Sequence, residues 1–142
     1  IYILNNKDED QMIYDEANAK KKQYKLYQIH LTDAEVDLIN AEGHDAVHKQ
    51  SLKLDMGLRK NDTGAIAGDA FSRGYYTHVS NITSTNLEGV FSIGNMGPEE
   101  CIERLAPMYS CSMGDIVEDP EGNKHVVAAW GFKPVTMLRE FA

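Results

Sequence analysis

From Tyr24 onward, apolar residues come in short clusters, each bounded by residues that start or stop a structural element. "YKLYQIHL", residues 24–31, is rich in aromatic and β-branched side chains and predicts a strand. Thr32 and Glu35 have the capping-box spacing ahead of Val36, Leu38 and Ile39, and Gly43 stands at the stop, so a helix is predicted over 33–42. Between His44 and Arg59 the apolar positions Val47, Leu52, Leu54, Met56 and Leu58 fit either a strand or a loop crossing the core. Asp62 or Thr63 is placed to cap a helix over 63–73 that Gly74 ends, and "YYTHVSNI", residues 75–82, predicts a second strand. Thr85 and Glu88 repeat the capping-box spacing before a helix over 86–93, with Gly94 at its stop. Pro98 suits the first position of a short helix over 98–105, which Pro107 prevents from continuing.

The last stretch, "MYSCSMGDIVEDPEGNKHVVAAWGFKPV" at 108–135, reads as strands over 115–118, 124–130 and 132–135, with "EDPEGN" as a tight reversal and Gly131 as a bulge that re-aims the last strand. These elements predict an α+β domain, a mostly antiparallel sheet with short helices packed on one face. The expected core is Leu26, Ile29, Val36, Ile39, Ile66, Phe71, Val79, Leu87, Val90, Phe91, Ile102, Leu105, Ile116, Val127 and Phe132. Trp130, beside Gly131, is expected outside it, as an exposed anchor at an interface.

Before Tyr24 the chain is polar, with Asp8, Glu9 and Asp10 early and Lys20, Lys21 and Lys22 late, an order that suits a helix dipole. Residues 1–23 therefore read as a polar arm or docking helix, and 24–142 as one domain. A chain of 142 residues, 42% hydrophobic and a quarter charged, is long enough for one core and lacks the signature of disorder. Its net charge of −8 opposes direct binding to nucleic acid or to an anionic membrane. Without a membrane-length apolar run or a secretory leader pattern, the expected location is cytoplasmic. Cys101 and Cys111 are too few for a disulfide framework and too widely spaced for a CxxC pair.

The candidate chemistries are thin. His44 and His48 lie four apart, half of a metal site on a helix, but no HExxH or further ligand pair completes it, so no metal and no cofactor is expected. Ser110 and Ser112 flank Cys111 outside any GxSxG elbow, so the segment reads as a specified turn and the expectation is of no catalytic residue. An alternative keeps Ser110, Ser112, Asp115 and His125 as the site of a small-ligand binder or enzyme. "GNMGPEE", residues 94–100, carries Glu99 and Glu100 in the first turn, where a phosphate would sit.

Charge distribution is more informative. Between Glu88 and Glu121 stand eight carboxylates and a single base, Arg104. Such an acidic face suits a basic surface, for instance that of a nucleic-acid-binding protein, and Glu99, Glu100, Glu103, Glu118 and Asp119 join Trp130 as expected partner-binding residues. An acidic DNA mimic is a further alternative, although the carboxylates are few and interrupted by bases.

Three pieces, "LEGVFSIGN" (87–95), "YSCSMGDIVED" (109–119) and "HVVAAWGFKPV" (125–135), together resemble the YodL-like group of small phage, plasmid and mobile-element proteins. The residues that carry the likeness are Phe91, Asn95, Ser110, Ser112, Gly114, Asp115, Gly131 and Phe132, while Met113 and Gly114 stand where the group's pattern has other small residues and the arm before Tyr24 has no counterpart in it. The resemblance implies a small α+β domain with no catalytic residues to carry over, and a bacterial host as the cell whose cytoplasm holds it. With the acidity, it leads to the expectation of a non-enzymatic accessory protein that binds and modulates a host protein, as an antidefence or host-takeover factor, with a homodimer through a sheet edge as a further expectation.

Overall fold

A computed structural model of the chain describes residues 20–59 and 62–137. Most of the arm expected at 1–23 lies outside these residues; its last part already belongs to the sheet, because β1 runs Lys22–Ile29. The elements that follow are α1 (Asp33–Glu42), α2 (His48–Leu54), α3 (Thr63–Ser72), β2 (Tyr76–Ser84), α4 (Leu87–Met96), β3 (Ile102–Arg104), β4 (Ile116–Glu118), β5 (Lys124–Ala128) and β6 (Gly131–Pro134). The six strands form one antiparallel sheet in the order β3-β2-β1-β4-β5-β6, which is the α+β architecture expected.

The helices do not share one face. Paired residues Leu26 and Val117 point with Val79, Ile82 and Val127 to the side covered by α4, where Val90 is fully buried. Ile29, Ile116 and Val126 point the other way, against Leu52 of α2, Met56, and Ala67 and Ala70 of α3. The sheet is thus sandwiched, which explains why its central strands are apolar at consecutive positions such as Ile116–Val117 and Val126–Val127. Register slips once between Leu26 and Tyr27, leaving Val79 as an extra residue in β2. Its carbonyl accepts from both Leu105 and Ala106 N–H, at 2.8 and 3.2 Å.

Local signals set most helix starts. Thr32 and Glu35 form the reciprocal capping box of α1, Asp62 Oδ1 accepts from Ala65 N–H at 3.3 Å, and Asn86 Oδ1 accepts from Gly89 N–H at 2.7 Å. Asn86, and not the expected Thr85, is therefore the cap of α4. The helix expected over 98–105 gives way to one 3-10 turn, Glu99–Cys101, and then to β3, because the exposed edge of β2 offers Ser80–Ile82 as ladder partners. The ambiguous stretch after His44 is helical: a 3-10 turn, α2, and a π turn over Asp55–Arg59.

Three expected core positions are surface positions. α1 buries no residue, and Val36 is 39% exposed. This helix is tethered at its start by Lys49, whose Nζ donates to Glu35 Oε1 at 2.9 Å and to His30 O at 2.8 Å. Leu105 and Phe91 are also exposed, Leu105 just beyond the short β3 edge and Phe91 on the open side of α4.

Candidate functional site

The segment from Tyr109 to Asp115 is held by a buried polar cluster. Asp115 is 3% exposed, and its Oδ2 accepts from Ser112 N–H at 2.9 Å and from Gln28 Nε2 at 3.0 Å. Gln28 also clasps Tyr109, donating to its carbonyl and accepting from its N–H, both at 2.9 Å. Its Oε1 lies 3.0 Å from His30 Nε2, and the His30 ring packs on Tyr109 with centroids 4.5 Å apart. Gly114 adopts φ +91°, a conformation that favours glycine, and its carbonyl accepts from the Tyr76 hydroxyl. These bonds make the segment a specified turn leading into β4.

The electrostatics agree with a structural role. Burial pushes the Asp115 carboxyl up to about 6, against the opposing pull of the Ser112 N–H, the Gln28 amide and the Lys53 charge. Burial likewise raises the Cys111 thiol well above its usual range, with the Asp115 charge adding to it, so at neutral pH Cys111 is a protonated, packed side chain. His30 is held below its ordinary value by burial and by Lys53 and Lys49.

Of the four residues of the ligand-site alternative, the fold joins Ser112 and Asp115, through the Ser112 backbone, and leaves the others apart. Ser110 and Ser112 expose their side chains, and Ser110 lines a cavity with Asn95, Gly97 and Arg104. His125 lines a different cavity, with Tyr24 and Glu88, and its Nε2 is 2.9 Å from Asp119 Oδ2. No base is aimed at either serine among the described residues. His44 and His48 fall on separate elements, and His48 Nδ1 instead meets the Tyr75 hydroxyl at 2.9 Å.

The acidic residues divide into two groups. Glu99, Glu100 and Glu103 are exposed at the β3 edge, where Glu99 pairs with Arg104 and Glu103 Oε1 accepts from Asn81 Nδ2 at 2.7 Å. Glu118 lies between Lys124 at 3.3 Å and Lys25 at 3.7 Å and accepts from the Tyr27 hydroxyl at 3.2 Å. Asp119 accepts from Glu121 and Asn123 N–H, closing the β4–β5 turn, besides facing His125. Glu118 and Asp119 are thus occupied within the fold.

Trp130 sits in the two-residue reversal between β5 and β6 and is 93% exposed. Beside it opens an apolar cleft of about 520 Å³, walled by Glu88, Phe91 and Ser92 of α4 and by Met113, and floored by Val127, Ala128, Ala129, Gly131 and Phe132. Phe91 and Met113 are each 38% exposed at its rim. The sheet order places Trp130 and the β3 carboxylates at opposite margins, on the order of 20 Å apart at about 4.8 Å per strand. The expected partner-binding residues do not form one surface. The exposure of Trp130 is legible in the sequence, but the cleft is not, because Phe91 has the helical spacing of a core residue and Met113 lies in a loop.

Compared with protein-family models, curated proteins and solved structures, the chain matches none of them.

Proposed function

We propose that this protein works by binding another protein, and that the cleft beside Trp130 is where the partner docks. One observation carries the reading: the single tryptophan of the chain stands almost wholly in solvent beside an apolar cleft whose rim residues, Phe91 and Met113, are themselves exposed. An aromatic anchor next to a concave apolar surface is the usual composition of an interaction hot spot. Separation of His125 from the serines, together with a protonated Cys111, speaks for binding over catalysis. In this reading the chain is an accessory protein of a phage or mobile element, the setting implied by its YodL-like C-terminal third, and it modulates a host protein. Glu99, Glu100 and Glu103 act at long range, steering a basic partner without being the contact surface.

The test is affinity capture from nuclease-treated bacterial lysate with the parent chain, Trp130→Ala, and a triple Glu99→Gln, Glu100→Gln, Glu103→Gln variant. The reading expects a partner at stoichiometric yield that Trp130→Ala loses and the triple variant keeps in part. Full retention by Trp130→Ala would place the contact elsewhere.

A further inference from the structure

Glu88 is the only charged residue lining the apolar cleft; it stands between that cleft and the neighbouring cavity of Lys20, Lys22, Tyr24 and His125, and it forms no ion pair within 4.0 Å with another described residue. It lies in the first turn of α4, three positions before Phe91 and four before Ser92, so the carboxylate and the exposed ring share one side of the helix, about 5–6 Å apart at their Cβ atoms. Around them the surface is apolar: Met113, Val127, Ala128 and Phe132. A ligand that fills the cleft brings an apolar side chain, and it passes the exposed Glu88 carboxylate at the rim. Burying it unpaired is costly, whereas a cation placed against it at the rim is favourable.

From this arrangement we infer that the cleft receives a segment of a partner protein in which a Lys or Arg stands about one helical turn from a large apolar residue, the base meeting Glu88 and the apolar side chain entering between Phe91, Met113 and Phe132. The inference rests on the binding reading above and adds the partner's chemistry to it. A second copy of this chain is the poorer occupant. A two-fold contact sets the same patch against itself, and the cleft residues include no cation to meet Glu88, while the chain's charge of −8 adds repulsion between copies.

The test uses the full chain and three short acetylated alanine-based helical peptides, each carrying Leu with Lys, Gln or Glu four positions before it. Binding is read from the anisotropy of a labelled peptide, and in the parent also from the emission of Trp130, the only tryptophan. The expected order is Lys over Gln over Glu, with about a fivefold difference between the first and last, the worth of a partly exposed ion pair. Glu88→Lys reverses that order and Glu88→Gln levels it. An order unchanged by Glu88→Lys, no binding by any of the three peptides, or a Trp130-dependent dimer in sedimentation each overturns the inference. If the peptides bind without charge preference and Trp130→Ala abolishes binding, only the basic residue is wrong. If Trp130→Ala and Met113→Asp both bind like the parent, the cleft itself is not the site.

Discussion

Gln28 Nε2 donates to Asp115 Oδ2 at 3.0 Å, joining β1 to the head of β4 across 87 positions of chain. The same amide holds both backbone groups of Tyr109, so one side chain, 2% exposed, fastens the whole approach to β4. Replacing it takes a partner from four groups at once: Asp115 Oδ2, the Tyr109 carbonyl and N–H, and His30 Nε2. Gln28→Leu keeps the volume but leaves the Asp115 carboxylate and the Tyr109 N–H short of partners, and a loss of about 3 kcal/mol is expected in urea denaturation. A loss below about 1 kcal/mol would mean that water replaces the amide.

Asp115 gives the fold a pH dependence opposite to that of most carboxylates. Its folded value, about 6, lies above the ordinary 3.8, so the folded protein holds the proton more tightly than the unfolded chain does. Stability from this group is fully present below about 4, falls as pH rises toward 6, and above that is lower by about 3 kcal/mol. Asp115→Asn is expected to flatten that slope between pH 4 and 6, as followed by denaturant midpoints across the range.

Gly68 of α3 lies against the backbone of Thr136, and a Cβ there would overlap the Thr136 carbonyl. Nearby, Thr136 N–H donates to Gly64 O at 3.0 Å, so the chain after β6 crosses this helix at close range. Gly68→Ala is expected to cost about 2 kcal/mol, because the crossing segment must lift from α3. Gly57→Ala, where the nearest atom is Met113 Cε at 4.0 Å, is the control and should be neutral or slightly stabilising. Thermal melts of the two variants distinguish them.

Trp130 packs on little, so Trp130→Ala is expected to change stability by less than about 0.5 kcal/mol. A larger drop in the melting midpoint would make it a structural residue and remove the reason for regarding it as an anchor.

Particular residues show what the chain makes legible on its own. Thr32 and Glu35 announce α1 because a capping box is a local reaction between a side chain and its own backbone, and Asp119 to Asn123 announce their turn for the same reason. Ile102–Arg104 does not announce a strand: Pro98 and the apolar spacing suit a helix, and only the vacant edge of β2 decides otherwise. Val36 and Phe91 have core spacing, yet whether a helix stripe is covered depends on elements far along the chain. The same limit hid the cleft, whose walls come from α4, the loop at Met113 and the β5–β6 reversal.

In the proposed function a partner protein contacts the Trp130 margin of the sheet and not the acidic β3 margin. A photo-reactive amino acid placed at position 130 and, separately, at position 103, each irradiated in bacterial lysate, tests it directly. One discrete adduct is expected from position 130 and none from position 103. An adduct from position 103 alone, or from neither position, would contradict it.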